Sequence, residues 1–222
     1  MKNRFVVGAI AALSLAGMAS ARPDIAIWTF ETSVPTTAGP HAAEVGTGSA
    51  FANTGGVISN PVGNGSVESM SSTAWDLGDN YEFRTSSTGY QNISITWDQT
   101  SSNTGPRDFN LQISTNGGGS YSTIMGYMVL ANAAPNTVWS SGGGRLPEYT
   151  FTASLGIAAA NLADLRIRFT QSSTVSANGG TVAGTGTDRV DNVQISGDLI
   201  PTPGALALAG VAGLVGFRRR RS

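Results

Sequence analysis

Residues 107–114, RDFNLQIS, alternate polar and apolar side chains at a period of two. Only an extended backbone turns every second side chain to the same side, so Phe109, Leu111 and Ile113 go inward while Asp108, Asn110 and Gln112 face out. The same alternation places Ile93, Ile95 and Trp97 on one face of residues 92–98. In residues 163–171 it sets Leu165, Ile167 and Phe169 against an outward Arg166 and Arg168, read as a solvated face. Further strands are expected at 25–30, 65–70, 81–85, 121–130, 149–151 and 189–196. The intervening Gly, Ser, Thr and Asn clusters suit tight turns. Segments 92–98 and 107–115, joined by QTSSNTGP, read as consecutive strands of a meander. A short helical turn is expected around Ala158–Ala160. Nine or ten strands predict an all-β fold, a two-sheet antiparallel β-sandwich of the jelly-roll class.

Both ends differ from this middle. Lys2 and Arg4 precede the apolar residues 5–15, followed by Ala19-Ser20-Ala21, the pattern of an export leader cut after Ala21. At the other end, Pro201-Thr202-Pro203 leads into 14 apolar residues, 204–217, and then Arg218, Arg219, Arg220 and Arg221. A helix needs about 20 residues to cross a bilayer. The uncharged stretch back to Leu199 and the snorkelling stems of Arg218 and Arg219 make a short transmembrane helix. The arginines hold its end in the cytoplasm, with the preceding chain outside. The expected organisation is a signal peptide at 1–21, a β-sandwich domain at 22–198 and a C-terminal sorting segment at 199–222.

Between the ends, seven arginines face 14 acids, a formal charge of −7. That balance excludes a nucleic-acid partner, which requires a basic footprint. The absence of cysteine excludes thiol and iron–sulfur chemistry and leaves the domain to be held by its core, its turns or a metal.

The three-part tail resembles the bacterial PEP-CTERM sorting signal, with Thr202 where that motif has glutamate. The resemblance covers about 22 residues. It implies export machinery and signal peptidase acting first, then recognition by an exosortase-like membrane protease. It also implies passage through the inner membrane and a final place in the cell envelope, at the cell surface or in an extracellular or biofilm matrix.

Within the domain, Phe30-Glu31 and Asp191-Asn192-Val193 resemble elements of carbohydrate-binding jelly rolls. That resemblance implies one structural Ca2+ held by Glu31 and Asp191. By period two, Asp191 falls on the apolar face of its strand with Val193 and Ile195, where a carboxylate needs a partner. The alternative is that Asp191 caps a turn or pairs with Arg189 or Arg84. Sugar binding requires accessible rings. Trp75 and Trp139, in loop-like contexts, are the glycan-contact candidates, with Tyr90 and Tyr127 behind them, whereas Trp97 reads as core. His41 reads as a surface loop residue without a catalytic partner, and no nucleophile elbow or zinc motif occurs. The sequence thus points to a surface or matrix protein that is not an enzyme. A carbohydrate-binding module for surface polysaccharide is the alternative, and a glycan hydrolase comes after it.

Overall fold

The computed structural model describes residues 22–201; the expected leader and the sorting tail beyond Pro201 lie outside them. The described chain folds as two antiparallel sheets. Its strands are β1 (Asp24–Trp28), β2 (His41–Ala42), β3 (Val45–Gly46), β4 (Gly48–Asn53), β5 (Ile58–Ser59), β6 (Met70–Ser72) and β7 (Asn80–Thr85). They continue as β8 (Tyr90–Ser101), β9 (Asp108–Ser114), β10 (Ser122–Met128), β11 (Thr150–Ser154), β12 (Leu165–Gln171) and β13 (Asp188–Leu199). The seven-stranded sheet runs β11-β8-β13-β1-β3, with β6 also on β13 and β5 on β6; the six-stranded sheet runs β10-β9-β12-β7-β4-β2.

Alternation sets the core. Phe109, Leu111, Ile167, Phe169 and Phe83 from the six-stranded sheet meet Ile93, Ile95, Trp97, Val193 and Trp28 from the other, all fully buried. Rings interlock across the interior: Trp97 stacks on Phe169 with centroids 4.7 Å apart, and Trp28 meets Phe83 edge-on at 5.2 Å. Aromatic pairs of this kind contribute beyond their buried area.

Three expectations are corrected. Segments 92–98 and 107–115 are not meander neighbours, because β8 and β9 belong to different sheets and face each other across the core. Alternation identifies the buried face, not the partner strand. The strand expected at 65–70 is a loop as far as Ser69, and pairing begins at Met70. His41 is 5% exposed, in β2, with its Nε2 2.9 Å from the Thr37 carbonyl oxygen. The helical turn occurs as a 3-10 turn, Ile157–Ala159.

Candidate functional site

Because the inward side chains of the six-stranded sheet are apolar, its outward ones form a separate polar face. Register aligns them in rows across the strands. One row runs Phe51 (β4), Glu82 (β7), Arg168 (β12), Gln112 (β9) and Thr123 (β10). Ser49, Arg84, Arg166 and Ser114 form the row on one side, and Asn53, Asn80, Thr170 and Asn110 the row on the other.

Glu82 is the centre of this face. Its side chain is fully buried beneath its partners. Tyr121 donates its hydroxyl to Oε2 at 2.6 Å, Arg84 donates Nε to Oε1 at 2.5 Å, and Arg168 donates Nε to Oε2 at 2.5 Å. Burial works against ionisation of Glu82, but hydrogen bonds from Tyr121, Arg84 and Arg168 outweigh it and hold the carboxyl below its ordinary value. Burial, followed by the Glu82 contact, pushes the Tyr121 hydroxyl up to about 12.

Each of these arginines also lies over a ring. Arg84 is 4.2 Å from the Phe51 centroid and Arg168 is 3.7 Å from that of Tyr121, distances of a cation–π contact. Amides and hydroxyls continue the network, with Thr170 donating to Gln112 Oε1 at 2.9 Å and Asn53 to Asn80 Oδ1 at 3.0 Å. At one end an open groove of about 270 Å³ is lined by Thr47, Ser49, Arg84, Thr85, Ser86 and Asp164.

The residues singled out by sequence lie elsewhere. Trp75 is 3% exposed and packs edge-on against Tyr81 and Phe109, and Trp139 is 3% exposed against Tyr149. Neither presents a ring for stacking, because loop position in the chain does not prevent a large apolar side chain from folding back onto the core. Tyr127 is core as well, bonded to Gln99. The aromatic residues on the polar face are Phe51 and Tyr121, which the sequence reading passed over. Charge on the outward positions of both β7 (YEFRT) and β12 (LRIRF) signals the polar face in the sequence, but not these two rings, which tertiary packing brings to it.

Asp191 is buried, but not on the apolar side. Asn192 adopts φ 49°, and the register slips by one residue between Asp191 and Gln194. This bulge reverses the alternation, so Asp191 pairs with the outward Asp98 while Val193 stays inward. There Asp191 caps the loop preceding β6. Its Oδ2 accepts from Asn64 N at 2.9 Å and Ser66 Oγ at 2.6 Å, and its Oδ1 accepts from Asn192 N at 2.6 Å. The loop approaches so closely that a Cβ at Gly63 would lie 2.3 Å from Asp191 Oδ2. Burial raises the Asp191 carboxyl to about 7. Arg84 and Arg189 bond elsewhere, to Glu82 and to the Val62 carbonyl. Glu31 holds the same loop, accepting from Glu68 N at 2.8 Å.

A calcium ion requires oxygen lone pairs. The loop instead turns N–H and O–H donors toward both carboxylates, so the residues as they stand do not fit the ion. The melting temperature is expected to be the same in calcium and in chelator. A calcium-dependent rise abolished by Asp191→Ala would show that these donors are exchanged for metal.

No protein-family model matches the sequence, and no curated protein matches it. Similar solved structures are the N-terminal CBM22-1-CBM22-2 tandem domain of Paenibacillus barcinonensis Xyn10C (14% identity, TM-score 0.49, covering 80% of this chain and 51% of that one) and the K3 cleaved adhesin domain of Lys-gingipain from Porphyromonas gingivalis (11%, 0.46, 78% and 99%). The N-terminal cellulose-binding domain of Cellulomonas fimi β-1,4-glucanase C is also similar (14%, 0.37, 69% and 90%).

Proposed function

We propose that the described domain, a sandwich of the jelly-roll class, is a non-catalytic glycan-binding module of an exported surface or matrix protein, and that the outer face of the six-stranded sheet is its platform. The observation carrying this reading is the row from Phe51 to Thr123. It combines a ring, a carboxylate, a guanidinium group, an amide and a hydroxyl across five strands, about 19 Å from first to last at the usual strand spacing. Planar polar groups carried on a sheet supply the directed hydrogen bonds by which hydroxyl-rich polymers are oriented. The leader-like start and the three-part tail support export and envelope sorting by an exosortase-like protease. Polysaccharide is the partner that suits both the face and that destination.

Affinity electrophoresis through a panel of soluble polysaccharides tests the reading. At least one polymer should retard the protein, and Asn110→Ala/Gln112→Ala, which removes two outward amides without touching the core, should weaken retardation about tenfold. Migration unaffected by every polymer of a broad panel would overturn it.

A further inference from the structure

We propose that the polymer bound by this face is acidic, and that Arg84 and Arg168 are the residues that recognise its carboxylate or sulfate oxygens. This inference rests on the glycan-binding reading and names the chemical class of the ligand. Each arginine pairs with Glu82 through Nε alone, and among the described residues the terminal amino groups of both have no hydrogen-bond acceptor. Their side chains are 38% and 30% exposed, so those amino groups are within reach of solvent.

Guanidinium groups on a surface ordinarily sample many rotamers, and ordering them costs binding energy. Here Glu82 fixes one edge of each group, and each guanidinium carbon lies over a ring, that of Phe51 or of Tyr121. The outer edges are therefore held as preformed donor forks, the geometry that suits a planar or tetrahedral oxyanion.

At the centre of the face the side-chain acceptors are engaged. The Glu82 carboxylate is occupied by three donors, and Gln112 Oε1 accepts from Thr170. Neutral sugar hydroxyls both give and take hydrogen bonds, whereas unused guanidinium N–H groups can only give. An acceptor-only group is their complement.

Charge points the same way. Arg166 stands directly opposite Arg84 across the β7–β12 pair, and like charges in that position repel. Asp164 engages Arg166 with Oδ2 2.9 Å from Nη2, but Arg84, Arg166 and Arg168 outnumber Glu82 and Asp164. This positive excess arises within a domain whose formal charge is −7. An oxyanion in the groove beside Arg84 would relieve the repulsion.

The experiment measures retention of the purified protein, at low salt, on polygalacturonate, carboxyl-reduced polygalacturonate, dextran sulfate and dextran. Retention by polygalacturonate identifies a carboxylate ligand and retention by dextran sulfate a sulfate ligand, each at least about tenfold stronger than by the neutral counterpart. Arg84→Gln/Arg168→Gln should abolish it. Arg84→Lys/Arg168→Lys, which keeps both charges beside Glu82 and removes the forks, should weaken it about tenfold while the melting temperature stays near wild type. Equal retention on charged and neutral polymers would overturn the inference and leave the glycan reading intact. Unchanged retention of a folded lysine variant would overturn the role of the forks. No retention on these four polymers by a protein that binds another neutral glycan would overturn only the acidic class; no binding to any glycan would overturn both.

Discussion

Replacing Asp98 by alanine is expected to destabilise the domain by about 3 kcal/mol, the lower end of the range for breaking a buried charged pair. Asp98 is completely buried on the outer side of β8. It receives a bidentate pair from Arg145, Nε and Nη2 both at 2.7 Å, together with the Thr150 hydroxyl at 2.6 Å and Asn192 Nδ2 at 2.9 Å. Removing the carboxylate strands these donors and releases the long loop between β10 and β11. The lower end applies because the Arg145 side chain is 41% exposed and can return to water. Asn64 still bonds Leu146 in both directions, at 2.8 and 3.0 Å, and keeps part of the loop in place. For a domain of this size the loss corresponds to a fall in melting temperature of roughly 6–12 °C. Urea unfolding, with limited trypsin cleavage at Arg145 as a local probe, measures both effects. Stability within about 1 kcal/mol of wild type would refute the assigned role.

The second large effect concerns Asp188, whose carboxyl lies inside the sandwich beside Gln99 and Ser101. Ser101 Oγ is 2.6 Å from the Pro106 carbonyl and 2.8 Å from Asp188 Oδ2. A carbonyl can only accept, so the single serine hydrogen cannot serve Pro106 and Asp188 at once, and a proton on Asp188 would satisfy both contacts. Gln99 Nε2 donates to Oδ1 at 2.9 Å, completing the set for a neutral acid. Burial, the largest influence, raises this carboxyl well above 3.8, against the opposing effects of Gln99, Ser101 and Arg189.

A raised carboxyl pKa means that, above 3.8, the folded chain retains a proton that the unfolded chain has lost. Stability therefore falls as pH rises, by about 1.4 kcal/mol per unit while Asp188 is neutral only in the folded state. Asp191 contributes in the same direction from 3.8 up to about 7. Glu82 has the opposite sign, because its depressed pKa gives stability that is present above 4.5 and lost as pH falls through the folded value. The stability maximum should accordingly lie at mildly acidic pH. Asparagine reproduces the neutral acid, with its amide donating to Ser101 and its oxygen accepting from Gln99. Asp188→Asn should thus match wild type near pH 4 and exceed it increasingly toward pH 8. Melting curves across that range check this, and parallel pH profiles for the two proteins would rule out a buried neutral acid.

Local chemistry explains why part of the fold was readable from the chain. Period-two alternation in β8, β9 and β12 fixed which faces are buried, since each strand can turn only one of its sides to an apolar interior. It correctly assigned Trp97 to the core and Arg166 and Arg168 to the outside. β4 escaped notice because GSAFAN combines glycine and alanine with one large side chain, a weak strand signal. The polar face was only half legible: the arginines could be seen, but their neighbours were set by register among strands distant in sequence, which joins Phe51 to Glu82 and Glu82 to Arg168.

The sequence by itself determined that this chain builds a cysteine-free β-sandwich, because alternating strands without disulfides must bury their apolar faces against one another. Only the tertiary structure decided the rest. It moved Trp75 and Trp139 from solvent to core, since burial of a large ring depends on what packs above it rather than on its neighbours in sequence. It turned Asp191 outward through a one-residue bulge that no periodic pattern encodes. And it brought Arg168 of β12 onto Glu82, which already has Arg84 two residues along its own strand, because cross-strand register decides which charges distant in sequence meet.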